Sequence, residues 1–302
     1  MKFVIAGATG FIGAALSNHL LAQGHHLTLF TRSSPHGAAA KNAGWQHWTP
    51  GASGEWERMV DGVDGVINLT GEPIAAKRWT TNQKRKILVS RLETTQSLVD
   101  AIAKARQKPQ ILVNGSAIGY YGPHGDEVIT ETDKRGSDFL ATICHQWELE
   151  ACRAEQYGLR VIRLRTGLVL GRNGGALAKM AKPFKFLVGG PLGSGTQWMS
   201  WIHLEDEVGL ISFLIDNPQA QGAYNATAPN PERNQDFCRT LGKVMKRPSW
   251  VPAPAFALRL ALGEMADMLL TGQRVIPAAA QKLGYKFRYA DLSEALEASM
   301  PL

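Results

Sequence analysis

The sequence predicts an α/β fold, a doubly wound parallel sheet with a smaller C-terminal lobe. Up to about residue 170, short apolar runs rich in β-branched residues alternate with longer segments of helical periodicity. A loop of regularly spaced glycines follows the first apolar run directly. After Gly171 the alternation stops and glycine, proline and tryptophan become frequent, which indicates a second region.

The first three elements form one strand–helix–strand unit. Residues 2–6 are an apolar, β-branched run that is typical of a buried strand. Apolar residues then recur at helical spacing from Phe11 to Leu20, and Gly24 is placed to end that helix. A second strand covers residues 27–31. The unit spans about 30 residues, the length of one βαβ unit.

The loop inside this unit contains Gly7, Gly10 and Gly13. We expect the first to allow a tight turn, the second to let the backbone approach a pyrophosphate, and the third to let the helix pack closely on the strand. The free N–H groups and the dipole of the helix N-terminus would then face the phosphates. The unit therefore predicts a dinucleotide site of the Rossmann type, with a merely tight loop as the alternative.

The end of the second strand indicates which dinucleotide binds. An NAD site usually has Asp or Glu there, to bind the ribose 2′-hydroxyl. This sequence has Thr31-Arg32-Ser33-Ser34 and no acid. A guanidinium can bind a 2′-phosphate with charge-assisted hydrogen bonds. We therefore predict NADP(H), while a solvated surface role for Arg32 remains the alternative.

The other elements of the sheet domain follow in order. Strands are predicted over residues 44–49 (weak), 63–69, 111–114, 160–165 and 223–226, helices over 56–60, 80–104, 138–157 and from about 202 to 216, and a surface loop over 124–137. We predict a nucleotide-binding domain from residues 1–170 and 202–228. Residues 171–201 and 229–302 are predicted to form the smaller substrate lobe.

Composition excludes several other classes of protein. No run of 18 apolar residues is present, and the first strand leaves no room for a signal peptide, so we expect a cytoplasmic protein that binds no membrane. Cys144, Cys152 and Cys238 show no CxxC spacing, and no metal site is expected. The net charge is +7, but no nucleic-acid-binding motif accompanies it, so a small anionic ligand is the better explanation.

Several motifs carry a resemblance to a known family. The glycine loop and the segments 116–122, 164–171 and 201–206 occur in the order of the extended short-chain dehydrogenase/reductases of the nucleotide-sugar epimerase type. More specific stretches are residues 68–74 (NLTGEPI), 78–79, 90–91, 189–195 (GGPLGSG), 201–203 and 270–274 (LTGQR). They resemble the atypical branch called "epimerase family protein", the YfcH type, whose members bind NADP and have no established substrate. Some plant and cyanobacterial relatives are linked to division processes.

The sequence departs from that family at its catalytic residues. Ordinary members use a Tyr-x-x-x-Lys pair, in which Tyr is the acid/base and Lys lowers its pKa. The corresponding positions here are Leu140 and Cys144, which cannot do that chemistry. Epimerases also carry an Arg that holds the nucleotide diphosphate, and Met199 occupies that position. The resemblance therefore does not extend to a nucleotide-sugar substrate.

The remaining candidates for catalysis are few. Ser116 lies within one residue of the Ser/Thr position of the family, and Tyr120 or Tyr121 can donate a proton, although packing is the favoured role for each tyrosine. Glu72 follows the fourth strand and can act as a general base, or can be a solvated loop acid. His203 is expected to bond locally. We predict Ser116, Tyr121 and Glu72 as the catalytic set.

Cofactor contacts are predicted from the loop, the strand ends and the resemblance. They are Gly7, Thr9, Gly10, Phe11, Ile12, Gly13, Thr31, Arg32, Leu69, Thr70, Gly71, Arg91, Ser116 and Leu168. Arg91 is included because it lies on the long helix after the fourth strand, where relatives place an Asn near the phosphates. A helix-surface arginine is the alternative.

A basic segment and two tryptophans suggest the substrate. Residues 77–91 carry six basic side chains and no acid, and residues 189–201 are rich in glycine and contain Trp198 and Trp201. We expect an anionic small molecule with a flat or apolar part, bound by Arg78 and both tryptophans. Lys84, Arg85 and Lys86 are expected to be solvated, and the tryptophans can instead be lobe core.

Two functions fit these observations. One is an NADP-dependent oxidoreductase or epimerase-like enzyme, which the elaborate aromatic lobe favours. The other is a catalytically weak NADP-binding sensor or regulatory protein, which the missing Tyr/Lys pair favours. The oligomeric state is not indicated.

Overall fold

The central sheet of the protein has seven parallel strands. The structure is a computed structural model that describes residues 1–33, 41–172 and 174–300. The elements in chain order are β1 (Lys2–Ala6), α1 (Phe11–Ala22), β2 (His26–Thr31), β3 (Ala43–His47), β4 (Gly65–Asn68), α2 (Thr81–Lys104), β5 (Ile111–Ala117), β6 (Val128–Ile129), α3 (Phe139–Cys152), β7 (Arg160–Thr166), β8 (Leu168–Leu170), α4 (Leu177–Lys185), β9 (Trp198–Met199), β10 (Trp201–His203), α5 (Leu204–Asp216), β11 (Gly222–Ala226), β12 (Glu232–Arg233), α6 (Asn234–Met245), α7 (Ala255–Leu262), α8 (Asp267–Leu270), β13 (Arg274–Val275), α9 (Ala278–Lys282) and α10 (Leu292–Ser299). Short 3-10 helices cover Glu55–Val60, Ile118–Tyr121, Arg153–Tyr157 and Gly263–Ala266.

The strand order confirms the predicted doubly wound fold. The order is β3-β2-β1-β4-β5-β7-β11, and every neighbouring pair is parallel. The direction of winding reverses between β1 and β4. In open α/β sheets of this kind, ligands bind at the carboxyl ends of the strands beside this reversal.

Both faces of the sheet are buried by helices, as the continuous apolar strands predict. Successive residues of β1 point to opposite faces. Phe3 and Ile5 pack in the apolar cluster that includes residues of α1 and α5. Val4 and Ala6 pack in the second cluster, with residues of α2.

The C-terminal lobe has an apolar cluster of its own. It includes Leu177 and Phe184 from α4, Trp201 from β10 and Phe237 from α6. The packing does not follow the predicted boundary at α9. Ala280 of α9 is buried in the main core, so α9 packs on the sheet domain although the sequence placed residues 229–302 in the lobe.

Several local predictions differ from the structure. The predicted helix 56–60 is a 3-10 helix. The fifth strand extends to Ala117 because its end pairs with Thr166 of β7. The predicted loop 124–137 contains β6, which pairs with β13.

Helix α4 was not predicted, because the frequent glycine and proline of residues 171–201 indicated only a second region, without assigned elements. It forms because Leu177, Ala181 and Phe184 lie on one helical face and are buried together.

The packing of Gly13 gives a stability prediction. A Cβ at this position would lie 2.1 Å from the carbonyl oxygen of Gly7, so α1 must move away from the turn. We expect Gly13→Ala to lower the free energy of unfolding by about 1–3 kcal/mol, the usual cost of overpacking. Urea denaturation of both proteins measures this difference.

Gly44→Ala is the matched control. Among the residues that the structure describes, no atom outside its chain neighbours lies within 4 Å of a Cβ built at Gly44 in β3. This variant should be as stable as the wild type or slightly more stable, because alanine restricts the unfolded chain. Equal unfolding midpoints for the two variants would contradict the packing argument.

Candidate cofactor and substrate site

The glycine turn after β1 packs backbone against backbone. Gly7 has a φ of 91°, and a Cβ there would lie 2.8 Å from the carbonyl group of Leu69, which follows β4. The N–H of Gly10 donates to the Gly7 carbonyl oxygen at 3.0 Å and closes the turn. Thr9 and Gly10 are exposed, and within the described residues no side chain caps α1. The helix N-terminus is therefore open toward the reversal point of the sheet, as an anion site requires.

Phe11 and Ile12, at the start of α1, pack toward the lobe and the main core. Both are partly buried against the main apolar cluster. The ring of Phe11 lies so close to Gly174 that a Cβ there would be 2.4 Å from it. The segment after β8 thus closes one side of the glycine turn.

The end of β2 lies beside the glycine turn. Thr31 is buried and its hydroxyl donates to the Ser33 carbonyl oxygen at 3.1 Å. Arg32 is exposed. Ser34 lies outside the described residues. The end of β2 therefore presents an exposed guanidinium, and the segment Thr31-Arg32-Ser33-Ser34 contains no carboxylate.

A buried amide network holds the loop after β4. Asn68 is fully buried, and its Nδ2 donates to Asn114 Oδ1 at 2.7 Å and to Thr95 Oγ1 at 2.9 Å. Its Oδ1 accepts from the hydroxyl of Thr70 at 2.6 Å. Every polar atom of the Asn68 amide is thereby used, which fixes the loop that borders the glycine turn.

Arg91 lies behind this loop. Its Nη1 donates to the carbonyl oxygens of Glu72 at 3.1 Å and Ile87 at 3.0 Å. The guanidinium lies 5.1 Å from the ring centroid of Trp147 and would be 3.1–3.3 Å from a Cβ at Gly71. Burial lowers the pKa of Arg91. The geometry differs from that of a solvated helix-surface arginine and places a positive charge against the loop after β4.

Glu72 faces α2. Its N–H donates to Ser90 Oγ at 2.9 Å, and its Oε1 accepts from Gln83 Nε2 at 3.2 Å. The side chain is only partly buried. The carboxylate is therefore held by the long helix at the border of the candidate site.

Ser116 is joined to a buried ion pair. Its hydroxyl donates to Glu148 Oε1 at 2.7 Å. Arg165 meets the same carboxylate with two hydrogen bonds, Nε to Oε1 at 2.8 Å and Nη2 to Oε2 at 2.9 Å. Both charged side chains are 3% exposed. Such a bidentate pair orients the serine hydroxyl firmly.

Tyr121 supports the other side of Arg165. Its hydroxyl accepts from Arg165 Nη1 at 2.9 Å and donates to Asn225 Oδ1 at 2.6 Å. The residue is 1% exposed, and burial raises its pKa to about 12. The predicted role of Tyr121 as a proton donor does not fit this position, whereas the packing alternative does. Tyr120 is stacked under the Arg165 guanidinium at 3.5 Å from its ring centroid.

The residues that replace the Tyr/Lys pair lie on the same face of α3 as Glu148. Leu140, Cys144 and Glu148 are spaced by four residues, so they share a side of the helix. Cys144 is buried, and burial raises the pKa of its thiol to about 12, so the thiolate needed for acid/base or nucleophilic chemistry does not form near neutral pH.

Glu148 and Arg165 are site residues that sequence reasoning missed. The signal for the arginine was available, because Arg163 and Arg165 interrupt an otherwise apolar strand on one face. A charged side chain in a buried strand needs a buried partner of opposite charge.

The predicted substrate residues are tied to other parts of the protein. Trp201 is 0% exposed and its Nε1 donates to the Asn230 carbonyl oxygen at 3.1 Å, which makes it lobe core and corrects the predicted substrate role. Trp198 is partly buried, donates to Asp126 Oδ1 at 2.9 Å and lies between the guanidinium groups of Arg233 and Arg274.

The basic segment before and within α2 contacts the lobe. Arg78 is exposed and its Nη2 donates to the Leu260 carbonyl oxygen at 3.3 Å. Lys84 was expected to be solvated, but its Nζ lies 2.6 Å from Glu264 Oε2. These contacts bring the segment that follows the β4 loop against the lobe.

Leu168 and His203 lie where the lobe joins the sheet domain. Leu168 begins β8, pairs with Trp201 of β10 and is partly buried. His203 caps α5 by accepting from the Glu205 N–H at 3.2 Å, and burial lowers its pKa. The local role expected for His203 matches this geometry.

A second buried acid lies on α5. Glu207 is 0% exposed and accepts from Thr166 Oγ1 at 2.8 Å, while burial raises its pKa to about 8. Thr166 directly follows Arg165 and points to the opposite face of the sheet. The carboxyl end of β7 therefore has a buried acid on each face.

The ion pair leads to a second stability prediction. Arg165→Leu leaves the Glu148 carboxylate buried without its partner, and removing one member of a buried pair costs about 3–5 kcal/mol. Urea denaturation of the variant and the wild type at pH 7 measures the loss.

Arg163→Leu is the control for this prediction. Its Nη1 lies 3.7 Å from Glu148 Oε2, and its side chain is 26% exposed, so it should cost less. A smaller loss for Arg165→Leu than for Arg163→Leu would contradict the assignment of Arg165 as the main partner.

Comparison with known proteins agrees with this geometry. Residues 3–227 match the NAD dependent epimerase/dehydratase family, and residues 253–299 match a domain of unknown function, DUF1731. The chain is 42% identical over 306 residues to the chloroplastic epimerase family protein SDR39U1 homolog of Arabidopsis thaliana, covering 99% of this chain and 87% of that protein. It is 42% identical over 297 residues to the epimerase family protein SH2119 of Staphylococcus haemolyticus, covering 98% of each.

A solved structure is similar over the whole chain. The crystal structure of human epimerase family protein SDR39U1 (isoform 2) with NADPH has a TM-score of 0.88 and 33% identity, and the match covers 99% of each chain. The sequence motifs, the open glycine turn and these matches agree. The chain belongs to the NAD-dependent epimerase/dehydratase family, as an NAD(P)-binding epimerase family protein.

Proposed function

We propose that the protein is an NADP(H)-dependent oxidoreductase or epimerase-like enzyme that acts on a small anionic molecule. The observation that carries the cofactor choice is the exposed Arg32 at the end of β2, where no acid is present. The human relative crystallised with NADPH supports the same choice. The nicotinamide supplies the hydride chemistry when it is bound.

The residues present fit a dinucleotide. The open N-terminus of α1 and the exposed Thr9 and Gly10 suit the pyrophosphate, and Thr31 with Arg32 suits the adenosine ribose phosphate. The loop Leu69, Thr70 and Gly71 borders the same turn. We propose that these residues, with Gly7, Phe11, Ile12, Gly13, Arg91, Ser116 and Leu168, form the cofactor site.

Ser116 is the best candidate to orient the substrate oxygen. Its hydroxyl is held by Glu148, whose charge is balanced by Arg165. This chain has no Tyr/Lys pair at Leu140 and Cys144, so Ser116 and Glu72 are the remaining polar groups proposed to act on substrate. Arg78 and Trp198 are proposed to contribute to an anionic substrate site at the junction with the lobe.

The alternative is a sensor or regulatory protein that binds NADP(H) without fast turnover. The specific observation in its favour is that the Tyr/Lys pair is replaced by Leu140 and by Cys144, a buried thiol with a raised pKa. In this case cofactor binding would change the conformation or the partners of the protein, and no substrate would be turned over.

Cofactor preference can be tested directly. Calorimetric titration should give tighter binding of NADPH than of NADH, because Arg32 makes a charged hydrogen bond only to the 2′-phosphate. Such a bond contributes about 1.5–3 kcal/mol, so Arg32→Ala should weaken NADPH binding roughly 10- to 100-fold and leave NADH binding unchanged. Arg58→Ala, an exposed arginine on the helix at Glu55–Val60, is the control. Equal affinity of the wild type for both cofactors would refute the preference.

Turnover separates the enzyme from the sensor. Anionic metabolites are screened by thermal shift with NADPH present, since a ligand of the folded state raises the melting temperature. Hits are then assayed for nicotinamide oxidation. We expect at least one anionic hit to be turned over, and Ser116→Ala to lower kcat by a larger factor than it weakens NADPH binding.

Three outcomes count against parts of this proposal. Hits that bind but are never turned over would favour the sensor. Thermal shifts by neutral or cationic compounds alone would refute the anionic substrate. Rapid epimerisation of a UDP-sugar, abolished by Ser116→Ala, would restore the ordinary family mechanism that Leu140, Cys144 and Met199 argue against.

A further inference from the structure

The lobe exposes an unusual group of large apolar side chains, which we name the lobe patch. It consists of Phe186, Leu187, Val188, Trp250 and Val251, with exposures of 77, 51, 53, 70 and 39%. Single exposed apolar residues are ordinary, but a contiguous group with two aromatic members marks an interaction surface.

Hydrogen bonds show that the two segments of the lobe patch are adjacent. Trp250 Nε1 donates to the Leu187 carbonyl oxygen at 3.1 Å. The N–H groups of Trp250 and Val251 both donate to the Gly189 carbonyl oxygen, at 3.0 and 3.1 Å. Leu187 has a φ of 62°, a conformation that a leucine rarely adopts. The side chain is nevertheless exposed.

Helix α7 extends the apolar surface along the chain. It starts at Ala255, just after the Ala253 N–H donates to the Pro191 carbonyl oxygen at 2.9 Å. All eight residues of α7 are described, and none of them is buried. Phe256 and Leu260 are 74 and 79% exposed and lie on one helical face, four residues apart.

The same segments are strongly basic. Residues 177–190 and 243–258 contain no Asp or Glu, and their basic residues are Lys179, Lys182, Lys185, Lys243, Lys246 and Arg247. On α4, Lys182 and Lys185 are exposed while Leu177, Ala181 and Phe184 are buried. Exposed positive charges therefore precede both segments of the lobe patch, Lys182 and Lys185 before Phe186, and Lys246 and Arg247 before Trp250.

We propose that the lobe patch and the adjoining face of α7 dock onto the surface of an anionic lipid bilayer. Aromatic and aliphatic side chains enter the headgroup region, and lysines reach the lipid phosphates around them. A second copy of the chain fits this surface less well, because a two-fold contact would place six basic residues against the same six. A protein partner also fits less well, because protein–protein interfaces are depleted in lysine.

This proposal changes one expectation from the sequence. The absence of membrane binding was inferred from the lack of a long apolar segment, and none of the helices in the described residues has the length and apolar content to cross a bilayer. A search for a long apolar segment does not detect the lobe patch, because its residues come from two short segments that are adjacent only in the folded lobe. Docking at a bilayer surface needs no spanning helix.

Co-sedimentation with vesicles tests the proposal. The full-length protein is mixed with vesicles of phosphatidylcholine alone, or of phosphatidylcholine with phosphatidylglycerol. We expect binding to the anionic vesicles and little binding to the neutral ones, and the binding should weaken with added salt. Lys182→Ala/Lys185→Ala should lower the partition coefficient about fivefold for each charge removed. Phe186→Ser/Trp250→Ser should lower it by roughly tenfold or more.

Matched variants outside the surface are the controls. Arg85→Ala/Lys86→Ala removes two exposed charges from α2, and Leu149→Ser removes an apolar side chain that is 55% exposed on α3. Both should bind vesicles like the wild type. Melting temperatures of all variants confirm that the chains are folded.

Three results would overturn the proposal. One is equal binding to neutral and anionic vesicles, or no binding to either. Another is wild-type binding by both lobe-patch variants while they remain folded. The third is a dimer in analytical ultracentrifugation that the lobe-patch variants dissociate, because the surface would then belong to a second copy of the chain.

Discussion

The backbone contact between the glycine turn and its neighbours is the constraint on which the site depends. Gly7 touches the backbone after β4, so a side chain there would push the turn away from the β4 loop, and Gly13 touches the Gly7 carbonyl oxygen, so a side chain there would push α1 away from the turn. This contact sets the distance between the helix N-terminus and the strand ends. It thereby keeps the N-terminal amides of α1 at the reversal point of the sheet, where an anion can reach them.

A buried ion pair organises the opposite side of the candidate site. Glu148 and Arg165 are stabilised by each other, and moving either charge out of water alone would be costly. Isolated buried pairs often contribute little net stability. The Glu148–Arg165 pair instead orients its neighbours. Glu148 accepts a hydrogen bond from the Ser116 hydroxyl, and Arg165 packs between Tyr120 and Tyr121. The chain thus keeps the family fold, lacks the Tyr/Lys pair and has a buried charged network beside Ser116.

The lobe connects this site to the outer surface. Arg78 and Lys84, which follow the β4 loop, contact the lobe at Leu260 and Glu264. Leu260 belongs to α7, the helix that exposes its apolar face. Docking of that face at a bilayer would therefore act on a helix that also touches the basic segment beside the proposed cofactor site. Exposed ion pairs such as Lys84 with Glu264 are weak and salt-sensitive, so this connection can shift easily.

The sequence by itself determined the sheet, the glycine turn and the loss of the Tyr/Lys pair, because each depends on residues close together in the chain. Strand periodicity and glycine spacing are local patterns, and Leu140 and Cys144 can be recognised by position alone. Only the tertiary structure paired Arg165 with Glu148, buried Trp201 in the lobe core and brought residues 186–188 beside Trp250. Burial and ion pairing depend on which distant segments of the chain come into contact, and the local sequence pattern of a segment does not specify its contacts.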